Sequence, residues 1–81
     1  MTTPTDRDLI LRARRGDAEG RETFGELVTR YQTSVFNVCY RILHNRADAE
    51  DLAQETFIRA LDRLHTFDLE REFSPWIRRV A

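Results

Sequence analysis

The sequence contains no lysine, one cysteine, three glycines, two prolines and no long apolar run. Each shortage excludes something. A lone Cys39 cannot form an internal disulfide or a cysteine-based zinc site, and both histidines stand apart from it in sequence. So few glycines and prolines favour helices over a many-turned sheet protein. No stretch approaches the roughly 18 apolar residues of a membrane span, and Met1-Thr2-Thr3-Pro4-Thr5-Asp6 lacks a basic-then-apolar secretion pattern. A cytoplasmic, all-α protein without membrane insertion is the expectation. Also missing are a phosphate-cradling glycine loop, a zincin motif and a nucleophile elbow.

What is present is 81 residues, 41% apolar and 33% charged, with a net charge of −1. This is enough for one small domain over 1–81 with a modest core, since a chain of this size buries about 60 to 65% of its unfolded surface. All 13 basic residues are arginine. Codon bias in a GC-rich genome explains that as well as any need for guanidinium groups, so the placement of charge says more than its type. Residues 1–46 hold 8 arginines against 6 acids, residues 47–72 hold 3 against 8, and residues 73–81 hold 2 against none. An acidic centre between basic ends suits a protein that meets two partners of opposite character. The near-neutral total argues against strong autonomous DNA binding.

The first periodic segment is Asp6 to Arg15, with Leu9, Ile10 and Ala13 at helical spacing, Thr5 and Asp8 set as a capping pair, and Gly16 set to stop it. The strongest signal follows. Phe24, Leu27, Val28, Tyr31, Val35, Val38, Cys39 and Ile42 step by three or four, forming one stripe of a helix over about Arg21 to His44. The stripe makes Cys39 a core residue, and Tyr31, Phe36 and Tyr40 read as packing residues. Asn45 is suited both to end this helix and to cap the next.

A third helix is predicted over about Ala47 to His65. Ala49, Leu52, Ala53, Thr56, Ala60 and Leu64 would face inward, Asp48, Glu50, Asp51, Glu55 and Asp62 outward, and Phe57 and Ile58 lean toward solvent. Thr66 to Phe73 has no helical stripe. Ser74-Pro75 reads as an N-cap followed by a first-position proline, starting a fourth helix with Trp76, Ile77 and Val80 on its apolar side. Two turns without a cap are marginal in water, so Ala81 is expected to be a cut inside a helix of a longer parent. The expected architecture is a compact bundle of about four helices on a long antiparallel hairpin, the last helix truncated.

No catalytic constellation stands out. Asp48, Asp51, Glu55 and His65 are the residues a metal site would need, but His65 lies ten residues beyond Glu55, about three turns along the helix. No metal, cofactor or catalytic residue is expected. Asp48, Glu50 and Asp51 also have an ordinary role, because carboxylates in a first turn interact favourably with the helix dipole by about 0.3 to 1 kcal/mol each.

The string Ala47-Asp48-Ala49-Glu50-Asp51-Leu52-Ala53-Gln54-Glu55-Thr56-Phe57-Ile58-Arg59-Ala60, followed by Phe73-Ser74-Pro75-Trp76-Ile77-Arg78-Arg79-Val80-Ala81, resembles the region 2 domain of bacterial extracytoplasmic function (ECF) sigma factors. Gly16-Asp17, Phe24, Leu27 and Tyr31-Gln32 extend the resemblance over nearly the whole chain. It implies a non-catalytic transcription initiation domain. In that family the helix carrying Asp51, Gln54 and Glu55 docks on the clamp coiled coil of the largest RNA polymerase subunit, and Phe57, Ile58 and Arg59 would border the contact. The loop Thr66 to Glu72 and the start of the fourth helix correspond to the elements that recognise and open the promoter minus-ten element. There a flipped non-template base enters a pocket formed by the loop. This gives Thr66, Phe67, Asp68, Leu69, Arg71, Ser74, Arg78 and Arg79 as DNA-facing residues.

Within that set, Phe67 and Leu69 fit either the pocket or the core, and Trp76 reads as core. Arg78 and Arg79 suit phosphate contacts. Asp68, Glu70 and Glu72 outnumber Arg71 in the loop, so backbone amides and arginines outside the loop would hold the DNA. The family pattern continues past Ala81 to a helix-turn-helix domain that reads the minus-thirty-five element. A second reading is a protein-interaction module sequestered by an anti-sigma factor, without DNA binding of its own.

Overall fold

The computed structural model describes residues 3–80, which form four α-helices and a single 3₁₀ turn. They are α1 (Asp6–Ala13), α2 (Ala18–Leu43), α3 (Arg46–Arg63), the 3₁₀ turn (Leu64–Thr66) and α4 (Phe73–Val80). The readings that fell on Met1, Thr2 and Ala81, including the cut in the last helix, lie outside the described residues.

Local chemistry sets the boundaries. Thr5 and Asp8 form a reciprocal capping box, each side chain accepting from the other's backbone N–H at 3.2 and 3.3 Å. Gly16 takes a positive φ of 73° after α1. Asp17 then accepts from the Gly20 N–H at 2.7 Å, so α2 begins at Ala18, a turn earlier than its apolar stripe predicts. Gly20 is there for contact. A Cβ at Gly20 would lie 3.1 Å from the backbone oxygens of Arg12 and Ala13, so glycine lets the start of α2 press against the end of α1.

The sequence assigned Asn45 two jobs, and the structure divides them. His44 adopts the left-handed conformation (φ 53°) that ends α2, and Asn45 is extended (φ −138°) with its side chain accepting from Asp48 N–H at 3.0 Å. One residue cannot hold both conformations, and the tight reversal requires both in succession. Two further boundaries differ from expectation. The end of α3 tightens after Arg63 into the 3₁₀ turn, so His65 is not α-helical. α4 opens at Phe73, which puts Ser74 inside the helix and not at its N-cap. Pro75 then occupies the first turn, where backbone N–H groups have no intrahelical partner to lose.

The hairpin of α2 and α3 is the most extensive packing in the molecule, with α1 laid on α2 and α4 closing against both. Leu9, Ile10, Leu27, Val35, Cys39, Leu64 and Ile77 are buried, and Ala49, Ala53 and Ala60 let α3 approach closely. Thr56, the most buried polar residue at 0% exposure, donates its hydroxyl to the Leu52 carbonyl at 2.7 Å. Burial pushes the Cys39 thiol pKa up, as expected of a core residue without catalytic use. Ile42 does not join the core. It is 63% exposed, with Tyr40 and Leu43 also exposed, because the stripe on α2 runs past the packed layers near the reversal.

Candidate functional site

Two surfaces carry the residues singled out by the sequence. The first is the outer side of α3, where Asp51, Gln54, Glu55, Ile58 and Arg59 are exposed. Arg59 pairs with Glu55 at 2.8 Å across one helical turn, a geometry that contributes only about 0.3 to 0.5 kcal/mol on an open surface. Ile58 is 63% exposed, as its position suggests, but Phe57 is 7% exposed and belongs to the core. Ala53, Thr56, Phe57, Ala60 and Leu64 form one stripe at helical spacing, and Ile58 lies a further 100° around the helix. Phe57 reaches the surface only as the floor of a groove of about 460 Å³ between α2 and α3. Gln54 stands on that groove, opposite Gln32 and Phe36 of α2. The i, i+4 spacing of Gln32 and Phe36 was the available signal, but it acquires meaning only once the hairpin register is fixed.

The second surface surrounds the loop between the 3₁₀ turn and α4. The loop braces itself: Asp68 accepts the Glu70 N–H at 2.9 Å through its carboxylate and the Arg71 N–H at 3.0 Å through its carbonyl. Its carboxylate also lies 3.7 Å from the Arg71 guanidinium. Asp68 is therefore engaged in the turn.

A hollow lies on either side. One, of about 350 Å³, has Ile10, Tyr31, Phe67, Leu69 and Phe73 as apolar walls, with Asp6, Arg7, Arg71, Glu72 and Ser74 among its polar residues. The other, of about 430 Å³, is lined by Arg63, Arg71 and Arg79 against the single carboxylate of Asp68, with Thr66, Trp76 and Val80. Phe67 borders both and is 4% exposed. It packs edge-on against Phe73 and Trp76, with ring centroids 5.6 and 5.1 Å away. Trp76 is half-buried and shares in the arginine-lined wall.

Of the eight DNA-facing residues expected, Thr66, Phe67, Asp68, Leu69, Arg71, Ser74 and Arg79 line one hollow or both. Arg78 is exposed but lines neither, its Nε donating to the Ser74 carbonyl at 3.3 Å. The periodic signals missed Arg63, the third arginine of the charged hollow, and the contributions of α1 and α2 to the other. Tyr31 donates its hydroxyl to Asp6, whose carboxylate also takes Arg30 at 3.0 Å. Burial first, and then the bond to Asp6, pushes the Tyr31 pKa up to about 12, which extends the range over which the phenol keeps its proton.

The acids and histidine considered as metal ligands do not assemble. Among the described residues no three His, Cys, Asp or Glu side chains are grouped to hold a metal ion. No described helix is long and apolar enough to cross a membrane.

Residues 27–81 match the model of the Sigma-70 region 2 family. The chain is 40% identical over 72 residues to the ECF RNA polymerase sigma factor SigW of Bacillus subtilis, covering 89% of this chain and 37% of that one. It is 35% identical over 81 residues to the RNA polymerase sigma-H factor of Pseudomonas aeruginosa, covering 100% of this chain and 40% of that one. The chain thus spans about two fifths of the length of these relatives. Among solved structures, an engineered region 2 of sigmaE in complex with GTAAAA superposes with a TM-score of 0.87 and 37% identity, covering 99% of this chain and 81% of that one.

Proposed function

This chain belongs to the Sigma-70 region 2 family, and from that premise we propose that it is the part of a transcription initiation factor that docks on RNA polymerase and engages opened minus-ten DNA. It performs no catalysis. The exposed side of α3 meets the clamp coiled coil of the largest subunit, with Asp51, Gln54, Glu55, Ile58 and Arg59 in the contact and Gln32 and Phe36 widening it. Such a face orients its partner by charge and holds it by apolar contact and polar bonds.

The observation that carries the DNA part is the pair of hollows that share Phe67 and Arg71 in their linings. The hollow with aromatic and apolar walls and a polar rim suits a base removed from its stack, and the arginine-lined one suits the phosphates beside it. Arg63 and Arg79 add to Arg71, the one cation of the loop. Because these cations are few, affinity is weak in isolation and acquires strength within the polymerase complex.

The test is a fluorescence titration of a single-stranded minus-ten oligonucleotide, against scrambled controls, with the protein bound to core polymerase. Preferential binding that is lost in the Arg63→Ala, Arg79→Ala double variant is expected. No sequence preference even with polymerase present would refute the DNA role and leave the anti-sigma-sequestered interaction module. In parallel, replacing Asp51, Gln54 and Glu55 together by alanine should abolish co-purification with core polymerase at unchanged helicity, and retained binding would remove the docking claim.

A further inference from the structure

Arg14 has no part in the contacts proposed so far, yet it spans the fold. It is the C-cap residue of α1, and its guanidinium turns away from its own helix. Nε donates to the Leu64 carbonyl at 3.1 Å and Nη2 donates to the Phe67 carbonyl. Those two carbonyls bracket the 3₁₀ turn where α3 runs out and the loop begins. Carbonyls at a helix end lack the usual i+4 partner, that of Leu64 keeping only the Phe67 N–H at 3.1 Å, and the negative end of the helix dipole favours a cation there. A guanidinium meets both needs at once, because its donors lie in one rigid plane.

The consequence concerns Phe67. Its backbone is gripped by Arg14, and it lines both hollows, as Arg71 also does. We propose that Arg14 is a positioning residue for DNA recognition: it fixes where the loop leaves α3 and so sets the shape of both hollows, without touching DNA. The recognition half of this statement rests on the DNA role proposed above. The placement half does not, and it can be read separately.

Trp76 is the only tryptophan in the chain and its ring centroid is 5.1 Å from that of Phe67, so its emission reports where Phe67 stands. In the full chain, Arg14→Ala should shift Trp76 emission to longer wavelength at unchanged helicity. Bound to polymerase, the same variant should lose discrimination between minus-ten and scrambled oligonucleotides by about tenfold, the equivalent of one charge-assisted hydrogen bond. Polymerase co-purification should be unchanged. Arg14→Lys keeps the charge but not the planar fork, so it should fall between wild type and alanine in both readouts, and it carries the test should Arg14→Ala fail to fold. Discrimination equal to wild type in the variants, whatever the emission, overturns the proposal, since Arg14 would then be a structural tie alone. Lost discrimination with unmoved emission also overturns it, because Arg14 would then act on DNA directly. If wild type itself shows no oligonucleotide preference, the DNA role falls, and the emission shift alone decides whether Arg14 sets the loop.

Discussion

Replacing Phe67 by alanine tests whether this residue, which lines both hollows, is a structural pillar or a surface platform. Phe67 is 4% exposed and its ring meets Phe73 and Trp76 at interplanar angles of 76° and 60°. Deleting a buried phenylalanine costs about 3 to 5 kcal/mol, including about 0.5 to 1.5 kcal/mol for each aromatic pair lost. A domain of this length has roughly 4 to 12 kcal/mol in total, at about 0.05 to 0.15 kcal/mol per residue. The single truncation therefore removes about a quarter of the stability or more. Urea denaturation followed by far-ultraviolet circular dichroism gives the loss as a lower midpoint at similar slope. Phe67→Leu is the control, because it keeps most of the apolar volume and loses chiefly the two aromatic pairs, so it should cost less than alanine, about 1 to 3 kcal/mol. A Phe67→Ala variant within about 0.5 kcal/mol of wild type would refute the reasoning, since a residue that free to leave is not part of the core.

The remaining predictions concern backbone and titration. Gly16→Ala forces a side chain into a positive φ of 73° and should lower Tm, whereas Gly25→Ala, in mid-helix with nothing within 4 Å of the new Cβ, should raise it. Each change is about 1 kcal/mol, or roughly 4 to 8 °C in a thermal melt; equal signs would contradict the assignment. Tyr31 is held neutral in the fold, with its pKa raised from 10.0 to about 12. A raised pKa contributes stability that is complete below the unfolded value and is lost as pH rises, so Tm should fall between about pH 10 and 12. Tyr31→Phe should flatten that limb while losing about 1 kcal/mol at neutral pH with the bond to Asp6. An alkaline limb unchanged in the variant would show that Tyr31 does not generate it.

Much of the candidate site was legible as residue type but not as position. The charge pattern along 47–72 marked α3 as the acidic side, and its exposed residues lie where helical phase puts them. The neighbours Phe57 and Ile58 were not separable by hydropathy. One is core and the other 63% exposed, because each residue turns the helix by 100° and only the register against α2 chooses between them. Ile42 gives the converse lesson: its spacing is that of a core residue, but periodicity does not record where the opposing layer stops.

By itself the sequence determined the number of helices, the Thr5–Asp8 and Asn45 N-caps and the alanine-rich inner stripe of α3, since each depends on residues within a few positions of one another. The family resemblance was likewise local, carried by two strings. Tertiary structure alone decided that Arg14 reaches the carbonyls of Leu64 and Phe67, that Tyr31 reaches Asp6, and that Arg63 and Arg79 line one hollow. Such contacts join residues far apart in the chain, and the angles at which packed helices cross select them, which no local spacing encodes.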